Sequence, residues 1–262
     1  MLIVLSPAKS LDYTSPIPAL PVTRPRFIQQ SAELIDILRR KSPVELSKLM
    51  DISDKLAVLN ANRYAAWSLE FTPDNSRPTI LAFNGDVYEG LDASHLQPKD
   101  LEWAQNHIAM LSGLYGVLRP LDLMQPYRLE MGSRLANPKG KDLYAYWGSG
   151  IAQTLREQLK DHEHRVLVNL ASDEYFGAVD TKVFGLPVIQ PVFQDGENGK
   201  FKIISFYAKR ARGLMARYAI VHRITDPEHL KAFDLEGYAY ASDASNPSRW
   251  VFRRTKPVPA RV

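Results

Sequence analysis

Residues 108–134 read IAMLSGLYGVLRPLDLMQPYRLEMGSR, and the way this stretch is read decides the elements on either side of it. Upstream, Pro98 opens an amphipathic pattern with Asp100 and Glu102 in its first turn, where the helix dipole favours negative charge. That pattern predicts a helix over 98–111 that runs into Gly113. At Leu111-Ser-Gly-Leu-Tyr-Gly116 the period breaks: two glycines three apart between apolar residues specify a tight backbone turn. One reading is a helix cap and packed loop, Gly being the residue most common just past a helix C-terminus. The other is a turn that presents backbone N–H groups to an anion. Arg119, Tyr127 and Arg128 follow, cationic or aromatic groups that could join such a contact.

Working outward, Leu2–Leu5 is a short continuous apolar run and 166–170 an apolar run broken only by Asn169, both of the kind that make buried strands. Pro78–Phe83 reads as another strand, and Val188–Phe193 with 202–206 as a hairpin around Asp195–Gly199. Helices are predicted over 27–40, 43–50 and 54–67, the last capped by Ser53, with Leu56 and Leu59 inward and Asn60, Asn62 and Arg63 toward solvent. The aromatic start at Tyr144 leads into a helix to about Lys160, and the tail after Lys256 reads as loose. No internal repeat and no linker composition interrupts the chain. The expectation is one α+β domain over 1–262, a mixed sheet with surrounding helices.

With 45% hydrophobic and 24% charged residues in 262, the composition is that of a globular chain with a substantial core. There are no cysteines, which excludes disulfides, thiolate nucleophiles and cysteine-bound zinc or iron–sulfur clusters. No apolar run approaches the ~18 residues a membrane span needs. Residues 1–5 are too short and uncharged for a signal peptide, so no membrane contact and a cytoplasmic location are expected. The six histidines fall outside metal-binding spacings, and neither GxSxG nor GxGxxG occurs, so no metal and no cofactor are expected. A monomer is compatible with all of this.

Polar residues collect where strands are predicted to end: Ser6 and Lys9, Asp86, then Asn169 and Ser172. Each has a local explanation as turn or cap chemistry. If the strands are neighbours, however, their ends converge on one cleft, where α/β sheets bind ligands. That would allow an enzyme acting on a nucleotide or small phosphorylated substrate.

Residues 200–217, KFKIISFYAKRARGLMAR, form the second informative stretch. It carries Lys209, Arg210, Arg212 and Arg217 with no acidic residue. Like charges at helical spacing repel. An unneutralised cluster therefore points to an anionic partner, phosphate above all, against the alternative of a solvated basic face. Gly213 within the helix points to close backbone approach.

Taken together, SPAKSLD (6–12), FNGDVYEGL (83–91), the block 111–132, NLASDEYF (169–176) and 199–217 resemble the YaaA family of bacterial peroxide stress proteins. The resemblance implies a cytosolic protein of the peroxide response that limits free iron and Fenton damage. It also implies DNA binding through a positively charged cleft and a helix–hairpin–helix element. On that reading Gly113, Tyr115 and Gly116 form the hairpin with Arg119 and Arg128 nearby. Lys209, Arg210, Arg212 and Arg217 neutralise phosphates, and Tyr115 or Tyr127 stacks on bases of duplex or locally unpaired DNA. Direct iron binding would need an all-carboxylate site.

Overall fold

The computed structural model describes residues 1–197 and 199–255; Asn198 in the expected 195–199 turn and the segment 256–262, read as a loose tail, lie outside the described residues. The centre is a mixed sheet of β1 (Leu2–Leu5), β2 (Ile108–Ser112), β3 (Gly116–Leu118), β4 (Leu167–Leu170), β5 (Val188–Glu197), β6 (Lys200–Lys202), β7 (Ala239–Tyr240) and β8 (Arg249–Arg254). Their order across it is β7-β8-β5-β4-β1-β2-β3, with β6 paired to β5. β1 runs parallel to β2 on one side and to β4 on the other. Buried on both faces, β1, β2 and β4 are almost wholly apolar, and their buried polar side chains, Ser112 and Asn169, accept hydrogen bonds from nearby backbone amides. β5 has only one face covered and alternates instead.

The mixed α/β architecture is the one expected, but several elements differ. The 98–111 helix stops as α5 (Pro98–His107), and the chain continues as β2. Ile3 pairs with Ile108 and Leu5 with Met110 in that ladder. A five-residue apolar run is ambiguous locally, and the partner strand lies far away in the chain. The strand expected over 78–83 is instead a helical turn at Thr79–Ala82 between two-residue bridges. Thr79 N and Ile80 N donate to the carbonyls of Asp122 and Pro120, so the segment is tied to the loop after β3 rather than to the sheet. The hairpin partner is residues 200–202, because the basic helix α7 (Ser205–Val221) already starts at Ser205. The helix expected from 144 to 160 breaks at Gly148, whose φ of +47° ends Leu143–Trp147 before α6 (Gly150–Gln158) begins.

The helices α1 (Ile28–Arg39), α2 (Pro43–Met50) and α3 (Asp54–Ala66) match their sequence assignments closely, with Ser42 and Ser53 as caps. The inward face of α3 does not. Ala57, Asn60 and Tyr64 are buried while Leu56, Val58 and Leu59 are exposed. Asn60 is tolerated inside because its Nδ2 donates to Leu56 O at 2.8 Å.

α4 (Asp86–Leu91) lies directly on α7. A β-carbon at Gly213 would stand 1.7 Å from Val87 O, and one at Gly90 would stand 2.2 Å from Arg210 O. This is the close approach that Gly213 indicated, and it fixes the wall of the site described next.

Candidate functional site

The carboxyl ends of β1 and β4 open into a cavity of about 430 Å³ lined by Ser6, Lys9, Asp86, Ser172, Lys209 and Arg212 among others. Three segments predicted separately to end strands or start turns thus meet beside the basic helix. Ser172 N donates to Ser6 Oγ at 2.8 Å, and Ser6 Oγ donates to Ser172 Oγ at 3.2 Å, so the two strand ends are joined directly. Tyr88, whose hydroxyl donates to Ser6 O at 2.9 Å, and Tyr175 wall the cavity; burial raises both phenols far above their ordinary value, so each stays protonated. Acid faces base across it: Lys9 Nζ is 3.7 Å from Glu130 Oε1, and Lys209 Nζ is 3.9 Å from Asp86 Oδ2.

Asn169 does not belong to this cavity. It is buried, and its Oδ1 accepts from Ala171 N at 2.9 Å, shaping the turn after β4. Glu130 and Glu174 also line the cavity; Glu174 reads in the sequence as part of the Ser172–Glu174 polar cluster and capping run, whereas Glu130 has no local signal. Glu174 Oε1 accepts from Gly132 N at 2.9 Å, a contact across the fold that no window could show.

The basic helix is far less free than its sequence suggested. Arg210 pairs with Glu236 at 2.8 Å and Arg217 with Asp92 at 3.5 Å, Arg217 also donating to the carbonyls of Leu91 and Asp92. With Lys209 beside Asp86, three of the four cations have acids supplied by other segments. Among the described residues, Arg212 alone of the α7 arginines has no carboxylate in ion-pair reach. It is partly buried, and burial works against its charged form.

The Leu111–Gly116 segment is the turn between β2 and β3, not a helical hairpin. The two-glycine turn is real but faces inward. A β-carbon at Gly113 would lie 2.2 Å from Leu129 O, and one at Gly116, at φ +67°, would lie 2.8 Å from the Trp147 ring. Tyr115 and Tyr127 are buried, Tyr127 OH sharing a 2.6 Å hydrogen bond with Ser112 Oγ, so neither ring has a face free for a base. Arg119 is held by buried Asp122 at 2.8 Å and Arg128 by Glu130 at 2.9 Å. The resemblance assigns these residues to DNA, and their partners lie outside any window of sequence; in the fold they stabilise the core and its rim.

A helical hairpin does exist elsewhere, at α2 and α3. Asp51, in the left-handed region at φ +50°, together with Ile52 and Ser53 joins the two helices, and Ile52 is buried beneath the turn. The Ser42 capping box and the Ser53 cap define its ends. Ser53 Oγ accepts from Leu56 N, leaving the amides of Asp54 and Lys55 among those a helix start cannot pair internally. Lys48 and Lys55 are exposed beside them. In the sequence, apolar Leu46, Leu49, Ile52 and Ala57 flank Asp51, the local pattern of two helices packed across a short turn.

Among the described residues no helix is long and apolar enough to cross a membrane, and no three His, Asp or Glu side chains converge as metal ligands.

Fold and site thus define a mixed α/β protein with a polar, mixed-charge cleft at the ends of parallel strands and a separate helical hairpin. The family model "Peroxide stress protein YaaA" matches residues 1–244. The chain belongs to that family, and with it to the proteins of peroxide stress. Among its relatives, a UPF0246 protein of Ralstonia pickettii is 63% identical over 254 residues, covering 97% of this chain and 99% of the relative. A UPF0246 protein of Janthinobacterium is 61% identical, covering 97% and 98%.

Proposed function

We propose that this protein serves in peroxide defence by binding DNA with little regard to sequence, through the α2–α3 hairpin, and helps to limit the free iron that drives Fenton damage. The observation that carries the reading is the Asp51–Ser53 connection between two capped helices, with unpaired first-turn amides beside exposed Lys48 and Lys55. Backbone amides and lysines of this kind contact phosphates and carry no base information. Asp51 and Asp54 flank the same turn, so affinity should be modest and strongly salt-dependent.

Fluorescence anisotropy with duplex and bubble DNA between low and moderate salt tests this. Affinity should fall linearly on a log–log plot against salt, and Lys48→Ala/Lys55→Ala should weaken binding and lower the slope by about 2. Absent or salt-insensitive binding would overturn the proposal. Unchanged binding by the double variant would remove the hairpin as the interface. For the iron arm, cells lacking the protein should show more chelatable iron after peroxide than complemented cells; equal levels would sink that part.

A second reading is an enzyme or binder of a nucleotide or small phosphorylated substrate in the strand-end cleft. What favours it is the convergence of Ser6, Lys9, Asp86 and Ser172 on the α7 face bearing Lys209 and Arg212.

A further inference from the structure

The cleft lies at a topological switch point. From β1 the chain next enters the sheet at β2 on one side, whereas from β4 it next enters at β5 on the other, so the crevice between β1 and β4 is left uncovered by connections. Ser6 and Ser172 follow those two strands, and their mutual hydrogen bonds span the crevice. Because Ser172 Oγ accepts from Ser6, its own hydroxyl hydrogen is left to donate into the cavity.

Two groups in the wall have unmet valence of opposite kinds. Arg212 lines the cavity, is partly buried and, among the described residues, has no carboxylate in ion-pair reach, Asp173 acting on it only at longer range; its backbone is fixed where α7 meets α4 at Gly213. A partly buried guanidinium gains most from an anion that takes two of its N–H groups, as phosphate does. Glu130 is the converse. Its Oε1 is shared by Arg128 at 2.9 Å and Lys9 at 3.7 Å, while Oε2 is buried and accepts nothing. Oε2 is closed to solvent, but the carboxylate as a whole lines the cavity and keeps acceptor capacity there, which suits a hydroxyl-bearing ligand. The cavity volume of about 430 Å³ falls within the range of small-ligand sites, and the Tyr88 and Tyr175 rings give it an apolar wall.

We infer that the cleft binds a phosphate monoester of a sugar or nucleoside, with Arg212 and Ser172 on the phosphate and the Glu130 carboxylate, which lines the cavity, accepting from a ligand hydroxyl. This rests on the second reading above, that a phosphorylated small molecule occupies the cleft, and adds the ligand class and the role of each group. It is independent of DNA binding at α2–α3.

Titration calorimetry on the full chain tests it with four probes: adenosine 5′-monophosphate, its 2′,3′-dideoxy analogue, ribose 5-phosphate and inorganic phosphate. The two hydroxyl-bearing monoesters should bind, and the dideoxy analogue and inorganic phosphate should each bind about 10-fold or more weakly, as expected for loss of a charge-assisted hydrogen bond. Arg212→Lys should weaken all binding by about 10-fold or more, because the fork geometry is lost. Glu130→Gln should erase the preference over the dideoxy analogue; since that analogue removes the hydroxyl without altering the protein, the conclusion survives even if the variant folds poorly. Preference for the nucleotide over ribose 5-phosphate assigns the nucleoside as the source, and equal binding assigns the sugar phosphate. If phosphate probes bind through Arg212 but the dideoxy analogue binds equally well, the Glu130 assignment is overturned while the cleft reading stands. If no probe binds, both fall.

Discussion

Gly213→Ala offers the sharpest test of how the site is built. An alanine here would place its β-carbon 1.7 Å from Val87 O and 2.7 Å from Leu91 N, both backbone atoms of α4. Reaching ordinary contact at 3.4 Å requires α4 and α7 to separate by about 1.7 Å along that line, since neither atom is the end of a flexible side chain. Overpacking of this sort costs about 1–3 kcal/mol. The gain in helix propensity returns about 1 kcal/mol. With rigid backbone on both sides the upper end applies, leaving a net loss of about 2 kcal/mol, or roughly 4–8 °C in melting temperature. Because Asp86 and Val87 ride on α4, the cleft widens as well, so phosphate-ester affinity should fall with stability. Urea unfolding of Gly213→Ala beside Gly150→Ala is the assay. The control lies in α6 with nothing within 4 Å of its β-carbon and should be neutral or slightly stabilising. If Gly213→Ala is as stable as Gly150→Ala, the close helix contact is wrong, and with it the account of what holds Arg212 in place.

Other expectations follow from the same packing. Arg254 and Asp195 form a buried ion pair, with Asp195 Oδ2 also accepting from Tyr238 OH at 3.2 Å. Arg254→Met should cost about 3–5 kcal/mol by stranding the carboxylate, and Arg254→Met/Asp195→Leu should recover much of it; an equal or larger loss in the double variant would show that the pair is not the source. Burial against Trp103 lowers the His107 pKa from 6.5 to about 4. The unfolded chain therefore takes up a proton below pH 6.5 that the folded chain refuses until about 4. Stability should fall as pH drops through that window, by at most about 1.4 kcal/mol per pH unit, and be unaffected by this group above it. His107→Gln should flatten that limb in urea titrations, and an unchanged slope would assign it to other groups. Tyr127→Phe should cost about 1–2 kcal/mol through Ser112 while leaving DNA affinity unchanged; weaker DNA binding at full stability would return Tyr127 to the interface.

The family was legible from the motifs alone. So was the local placement of part of the cleft. Ser6, Lys9, Asp86 and Ser172 stand as polar groups just past apolar runs, and all four line one cavity. Asn169 was picked out on the same ground and turned inward, since an Asn side chain can satisfy its own turn as readily as a ligand. The DNA-facing set fared differently. Its glycine turn, its two tyrosines and most of its arginines are occupied inside the protein, by Leu129, Trp147, Ser112, Asp122, Glu130, Glu236 and Asp92.

What the sequence determined by itself was everything fixed by neighbours a few residues apart. That includes the bounds of α1 to α3 and their serine caps, the apolar runs of β1 and β4, and the glycine that lets α7 meet α4. The tertiary structure decided what depends on distant partners. Residues 108–112 are a strand because Leu2–Leu5 completes their hydrogen bonds. Leu56 and Leu59 face outward because Ala57, Asn60 and Tyr64 fit the surface beneath α3. Of the arginines along α7, Arg212 alone among the described residues is left without a carboxylate in ion-pair reach. Charge is written in the chain, but neutralisation is a property of three-dimensional distance, and no window along the sequence contains it.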